Sequence, residues 1–406
     1  MTQLFGIDAA EVRALAGAVS DEDAADVFAR AAWSCIAEPG DRVAGALVAA
    51  LGAADALSAL LAGEPAASIA PRVDVEERMV ADLTQALERW MPRLLLPDVR
   101  RALTQAARFR VRLIMPDSEN WPTGVNDLGA HTPLALWVRG ELPALAHLDR
   151  SIALVGARAA TGYGEHVAME ASAGLVDRGY AIVSGAAYGI DGMAHRAALA
   201  SKGVTVAVLA GGVDRFYPSG HDALLTRIVE SGAVVSEVPC GIPPTKWRFL
   251  QRNRLIAAMS QATVVLEAGW RSGSLNTAGH AVSLGRPLGA VPGPVTSAAS
   301  AGCHRLIRNY GAACVTNADE MAELVPTDVP MFRDEVPSPH HSEQSRLLDT
   351  ISDRAPRAAA DLAKRSGLSL AGVHALLGRL ELEGAVVERD RGWMLAPPPK
   401  KEKPLA

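Results

Sequence analysis

The chain has no cysteine pair at the spacing of a metal knuckle or a redox dithiol. Its four cysteines, Cys35, Cys240, Cys303 and Cys314, lie far apart, which excludes a disulfide frame and a zinc site and suits a reducing compartment. Cys303-His304 is adjacent but has no partners at metal-ligand spacing, so no metal is expected. The start of the chain lacks a cationic segment leading into an apolar one, and no signal peptide is expected. Residues 43–62 are rich in Ala and Gly, but Asp55 breaks them and they fall short of the ~20 apolar residues of a membrane span. Paired helices, no membrane and a cytoplasmic location are the expectation. A surplus of positive charge is lacking too: 40 Lys and Arg stand against 45 Asp and Glu, a net charge of −5. Coating DNA through bulk charge is thereby excluded, and any nucleic-acid site has to be a local basic groove. The glycine loop at 156–164 is not G-x-G-x-x-G, and G-x-x-x-x-G-K-[ST] does not occur. Neither a dinucleotide site nor a P-loop is expected, and no cofactor.

What is present begins with size. With 406 residues, 49% hydrophobic and 21% charged, the chain reads as globular, with two or three domains. Residues 1–90 are Ala-rich with a helical period and predict a small helical domain of helix-hairpin-helix-like texture. Its turn Glu38-Pro39-Gly40-Asp41 puts an acidic pair where a phosphate would sit, which favours scaffolding or partner contact over DNA contact. Residues 91–150 read as a connector with strands at 111–115 and 134–138.

From 151 to 325 the pattern alternates. Strands are predicted at 151–155, 181–184, 204–210, 233–237, 262–266, 287–291 and 312–316. Helices are predicted at 165–178, 191–201, 222–231, 249–260, 277–284 and 304–309. Apolar strands each followed by a helix predict an α/β domain with a parallel sheet covered on both faces. Ligands of such sheets bind beyond the carboxyl ends of the strands. A linker at 326–343 precedes three helices and a hairpin over 344–396, a winged-helix pattern. The Pro- and Lys-rich tail at 397–406 is expected to be disordered.

The densest chemistry lies between Lys246 and Thr277. Lys246-Trp247-Arg248-Phe249-Leu250-Gln251-Arg252-Asn253-Arg254 holds four cations, two aromatics and an amide, suited to a phosphate chain with bases to stack. Lys246, Trp247 and Arg248 are expected in a loop stiffened by Pro243-Pro244. One strand later, Arg271-Ser272-Gly273-Ser274-Leu275-Asn276-Thr277 opens a helix, where backbone N–H groups can hold an anion. Arg158, in the glycine turn after the first domain strand, is a candidate phosphate ligand. Phe216 and Tyr217 can stack a base or pack on the sheet end. Asp191 and His195 share a helix face. A carboxylate at the helix dipole with a histidine lining the sheet is preferred there to an acid/base pair. Glu237 and Glu267, at strand ends, are expected to cap a helix or to pair with Arg252 or Arg254.

Taken in order, these loops resemble the DNA-processing protein A family, also called Smf. The resemblance is carried by Gly156-Ala157-Arg158, by 184–191 with His195, and by Gly211-Gly212-Val213-Asp214 with Tyr217-Pro218. It continues through Ser236-Glu237, 249–254, 272–278, Val291-Pro292-Gly293 and Leu306-Ile307 with Gly311-Ala312. Trp137-Val138-Arg139-Gly140 upstream and the winged-helix pattern downstream also fit. The resemblance implies an extended Rossmann-like parallel-sheet domain over 91–325 and a single-stranded DNA-binding recombination mediator without catalysis. It would act as a homodimer that loads a RecA-type recombinase in natural transformation. By position, Arg158, Ser184, Gly185, Lys246, Phe249, Arg252, Asn253, Arg254, Ser272, Gly273 and Thr277 would line the DNA pocket, with Leu306 and Ile307 near the dimer surface. Ala157 stands where the family usually has Ser. The Glu381 and Glu383 carboxylates on the presumed recognition helix favour a protein or regulatory contact for the winged helix. The competing reading is a nucleoside-monophosphate phosphoribohydrolase. Such enzymes carry a working glutamate three residues after the helix-start Thr, and here that residue is His280.

Overall fold

A computed structural model of the protein describes residues 4–73, 77–325, 347–348, 350–353, 355–366, 368, 370–382, 384–390 and 392–396. The chain divides into two units, Met1–Pro326 and Thr327–Ala406. The expected linker at 326–343 and tail at 397–406 lie outside the described residues.

The first unit opens with helices α1 (Ala9–Gly17), α2 (Ala24–Ile36), α3 (Arg42–Leu51), α4 (Ala53–Leu61), α5 (Ala66–Ile69), α6 (Glu77–Trp90) and α7 (Leu96–Arg108). Asp8, Asp23 and Asp41 accept hydrogen bonds from first-turn backbone N–H groups of α1, α2 and α3. Each satisfies donors that a helix start leaves unpaired and sets a negative charge at the positive end of the dipole. Trp33 and Trp90 meet edge to face at 5.2 Å in the middle of the bundle. The pair α3 and α4 bends by 109° at Gly52, and no single helix among the described residues is long and apolar enough to cross a membrane. The connector contains a helix, α7, beyond its two expected strands; one face buries Val99, Leu103 and Ala106.

The sheet has nine strands: β1 (Arg112–Ile114), β2 (Leu136–Gly140), β3 (Ser151–Gly156), β4 (Ala181–Ser184), β5 (Thr205–Val208), β6 (Ala233–Ser236), β7 (Ala262–Glu267), β8 (Leu288–Ala290) and β9 (Ala313–Cys314). They run in the order β1-β2-β6-β5-β4-β3-β7-β8-β9. The seven strands from β3 onward pair parallel, as the alternating pattern predicts. The sheet as a whole is mixed, because β2 adds antiparallel to β6 and β1 antiparallel to β2. No helical crossover separates β2 from β3, only the 3-10 segment Leu142–Arg150, so nothing obliges the added strands to run parallel.

Helices α8 (Gly162–Asp177), α9 (Ile190–Ala200), α10 (Asp222–Ser231), α11 (Lys246–Ala258), α12 (Ser274–Ser283), α13 (Ala301–Asn309) and α14 (Ala318–Ala322) follow the strands. Strands β4 to β7 are buried along their whole length, as a sheet covered on both faces requires. The successors of β3 build outward on one side and β7, β8 and β9 on the other, so strand order reverses between β3 and β7. The N-terminal bundle shares its core with the sheet: one apolar cluster runs from Trp33 and Trp90 through Val111 and Trp137 to Ala207 and Leu225.

In the second unit, helices Ala359–Ser366 and Leu370–Leu382 and a hairpin of β10 (Val386–Arg389) and β11 (Gly392–Leu395) enclose Leu347, Leu362, Leu377 and Trp393. Arg357 adds a bridge to Trp393. This is the expected winged helix. Its first helix, expected at 343–352, lies partly outside the described residues, and Leu347 and Leu348 are helical.

Candidate nucleic-acid interface

Where strand order reverses, the loops beyond β3 and β7 part and leave a cavity of about 690 Å³, at the place doubly wound sheets offer a ligand. Five segments line it: 156–159, Ala187 with Asp191, 249–256, 269–277, and Ala298 with Ala299. Two guanidinium groups reach it from exposed positions. Arg158 lies over the Phe249 ring at 5.1 Å, and Arg271 lines the cavity from the loop after β7. Neither forms an ion pair among the described residues. Helix α12 points its start at the same space, with Gly273 as N-cap and no side chain capping it. The positive end of its dipole therefore faces the cavity, while the Ser272, Leu275 and Asn276 N–H groups are bonded to the carbonyls of Gly269, Ser272 and Gly273. Thr277 is buried in its wall, and the Ser272 and Ser274 hydroxyls pair at 2.8 Å.

The cationic stretch behaves differently from its reading as a loop. Helix α11 begins at Lys246, because Thr245 caps it by accepting from the Arg248 N–H. The loop expected at Lys246–Arg248 is thus the first helical turn. Arg248 is held by both oxygens of Glu38 at 2.9 and 3.0 Å. Arg254 pairs with Glu237 at 2.5 Å, and Glu237 also accepts from the Gly40 N–H at 3.0 Å. The Glu38–Asp41 turn is therefore the clasp that docks the helical bundle on α11 and the end of β6, in line with its scaffolding reading. Asp41 completes it, accepting from the Trp90 indole N–H at 3.1 Å. Lys246 and Trp247 remain exposed, Trp247 by 57%.

The structure gathers seven of the eleven expected pocket residues around the cavity: Arg158, Phe249, Arg252, Asn253, Ser272, Gly273 and Thr277. Arg252 is buried in the floor and donates to the carbonyls of Gly185 and Val208, tying the ends of β4 and β5 together. A Cβ at Gly185 would lie 2.5 Å from that guanidinium, so only glycine lets the β4 end and Arg252 meet. Gly185 itself lines a small adjoining pocket with Tyr217, on the far side of Phe249. Ser184 is fully buried and donates to the Leu154 carbonyl, fastening β4 to β3. Lys246 and Arg254 are not in the wall. Leu306 lies in the core at 2% exposure, and Ile307 packs half-buried against the same core. Glu267 receives the Thr161 N–H and hydroxyl and so fixes the start of α8. Phe216 is covered by the Arg139 guanidinium at 4.8 Å, whereas Tyr217 is half exposed and 5.7 Å from Phe249.

Charges in the floor are tuned by burial. Burial lowers Arg252 to about 10, against the pull of Asp191. Burial raises Asp191, partly offset by Arg252 and by backbone N–H groups. His195 is wholly buried with Nδ1 2.7 Å from the Thr205 hydroxyl and Nε2 unpartnered. Burial, with the charges of His221 and Arg252, lowers it to about 3. It is no base poised for catalysis. Between pH 6.5 and 3 the unfolded chain protonates this histidine and the folded chain does not, so its share of stability is full above pH 6.5 and is lost as pH falls. Asp191 acts oppositely, its raised value favouring the folded state at low pH. The expected observable is therefore a difference: the stability gap between the protein and its His195→Gln variant narrows as unfolding is measured from about pH 7 down to about pH 4. A gap independent of pH would show that His195 titrates normally.

Two features of the site escape the sequence reading. Arg271 sits in the cationic segment but at no position the family resemblance points to, and Ala298 and Ala299 come from a loop with no chemical signature. Their common signal is position alone, each lying past the carboxyl end of a strand.

Fold and cavity together define a class: an extended Rossmann-type sheet with an arginine-lined slot at its switch point and an appended winged helix. The family model described as DNA recombination-mediator protein A matches residues 112–326, and that of the DprA winged helix domain matches residues 333–390. A protein of Mycobacterium tuberculosis (strain CDC 1551 / Oshkosh) named for DNA processing protein DprA is 48% identical over 300 residues, covering 70% of this chain and 77% of its own. Protein Smf of Escherichia coli (strain K12) is 37% identical over 293 residues, covering 70% and 76%. The X-ray structure of DNA processing protein A from Streptococcus pneumoniae superposes with a TM-score of 0.59 at 27% identity, covering 75% of this chain and 98% of that one. The chain belongs to the DNA recombination-mediator protein A (DprA/Smf) family.

Proposed function

We propose that the cavity holds single-stranded DNA and that the chain mediates recombination without catalysing a reaction. The observation that carries this reading is the convergence of two guanidinium groups without ion pairs among the described residues, the positive end of a helix and a half-buried aromatic ring in one concave slot. Cations and the helix's positive end suit the phosphates, and Phe249 with Tyr217 offers faces to unpaired bases. A duplex keeps its base faces stacked inside, and reading it needs an element protruding into a groove; a recessed slot suits a strand whose bases are free. The family's description supports the mediator role. Transfer to a RecA-type recombinase, assembly as a homodimer and a cytoplasmic site of action belong to the same proposal.

Hydrolysis is the weaker reading. His280, at the position of a hydrolytic glutamate, is half-buried beside Arg254 and outside the cavity wall. Glu267 is engaged by Thr161, and Asp191 by the backbone N–H of Ala187 at 3.4 Å. The test is a salt series of affinity for single strands and for a duplex, with nucleoside monophosphates assayed for released base. Single strands are expected to bind more tightly, with log K falling by about 0.7 per phosphate contacted for each decade of salt. Preference for the duplex, or release of base, would overturn the proposal.

A further inference from the structure

We propose that the strand's track does not end at the cavity but continues over Trp270, whose indole acts as a second stacking platform between Arg271 and Arg305. This rests on the cavity's holding a single strand. Trp270 lies between Gly269 and Arg271, both in the cavity wall. A strand leaving the slot on that side therefore meets the indole next.

The indole is 59% exposed, the most open aromatic ring among the described residues. Its setting is built rather than loose. The Arg305 guanidinium lies 5.1 Å over the ring and donates to the Tyr310 hydroxyl at 3.0 Å, a cation–π contact that steadies both groups. Helix α13, which carries Arg305, starts directly against the loop before Trp270: the Gly302 N–H donates to the Ala268 carbonyl at 2.7 Å. A Cβ on Gly302 would lie 2.6 Å from the Gly269 carbonyl oxygen, so only glycine allows this approach. The seat of Arg305 relative to Trp270 is thereby fixed by backbone contact.

Charge selects the occupant. Arg271, Arg305 and Arg308 form no ion pair among the described residues, and α13 contains no carboxylate. The Arg305 guanidinium over an open flat ring, with Arg271 next in sequence, matches phosphates beside an unpaired base. A second copy of this chain would bring the same positive patch if it met this one face to face, and like charges oppose that contact.

The test uses the full chain with fluorescent oligothymidylates from the dinucleotide upward, in the protein and in its Trp270→Ala, Trp270→Phe and Arg158→Ala variants. Trp270→Ala is expected to leave the shortest oligomers unaffected and to weaken longer ones about 5- to 160-fold, the range of one base–aromatic stack. Trp270→Phe should restore most of that affinity, and long oligomers should quench tryptophan fluorescence less in both variants. Wild-type affinity of Trp270→Ala at every length, while Arg158→Ala weakens them all, would overturn this inference and leave the cavity reading standing. A changed sedimentation coefficient for Trp270→Ala would overturn it in favour of a contact between copies. Arg158→Ala without effect at any length would bring down the cavity reading itself, and this inference with it.

Discussion

Replacing Arg158 and Arg271 together by alanine is expected to weaken single-stranded DNA binding by about a hundred-fold, in every sequence alike. Both guanidinium groups reach the slot from exposed positions and neither is neutralised within the described fold. A hydrogen bond to a charged group contributes about 1.5–3 kcal/mol, so removing two of them gives at least that factor. The salt dependence is the sharper readout. Each phosphate left without its arginine should reduce the slope of log K against log salt by about 0.7, hence by about 1.4 for the pair. Fold should be unaffected, because neither side chain forms an ion pair among the described residues and both are exposed; Arg158 lies over the Phe249 ring. Anisotropy titrations at several salt concentrations check this. An unchanged slope would mean the strand binds elsewhere, however well the loops match the family.

Arg254→Ala is expected to do the opposite: folding stability falls by about 3–5 kcal/mol, with little change in strand affinity well below the unfolding transition. The Arg254 and Glu237 side chains are 4% and 11% exposed, and they pair at 2.5 Å. Removing one partner leaves the other charge buried and uncompensated, which is costly even where the intact pair contributes little net. Glu237 would retain the Gly40 N–H, and the clasp between bundle and sheet would loosen with it. Glu237→Gln should show a similar drop, since Arg254 would then be the buried charge without a counterpart. Denaturant unfolding monitored by tryptophan fluorescence gives the stabilities, and the same samples give the affinities. Should Arg254→Ala keep its stability and fail to bind the strand, the residue is a DNA ligand after all and not a strut of the fold.

These two outcomes separate cations that the sequence presents as equals. In the run from Lys246 to Arg254 four positive charges stand within nine residues, yet Arg248 and Arg254 are taken by Glu38 and Glu237 and Arg252 by two strand-end carbonyls. The carboxylate that holds Arg248 and the strand-end carbonyls that hold Arg252 lie between 44 and 210 residues away along the chain, where no local pattern marks them, whereas the pairing of Arg254 with the strand-end Glu237 is among those the sequence allows. The strands are legible for the reverse reason. A sheet covered on both faces demands short continuous apolar runs, and β4 runs over the residues the pattern predicts. Helix starts are read systematically late. Helices α8, α11, α12 and α13 each begin three residues before the expected position. Their first turns hold glycine, serine, alanine or cations, which show no apolar period, and the capping groups Thr161 and Thr245 act through hydrogen bonds that periodicity does not register. Helix α7 is hidden in the connector, and the antiparallel pair β1 and β2 is legible as strands without its place in the sheet.

The slot's five contributing segments are spread from Val155 to Ala299. They converge only after β3 has paired with both β4 and β7, strands about 30 and 110 residues downstream, and closing loops of that length precedes any reward from the pairing. During synthesis the nascent polypeptide consequently displays its cationic run from 246 to 254 before the far wall at 298–299 has left the ribosome. The early carboxylates Glu38 and Glu237 are already present by then, ready to neutralise Arg248 and Arg254 as they emerge. Each cation of the clasp therefore emerges after the carboxylate that pairs with it in the folded protein.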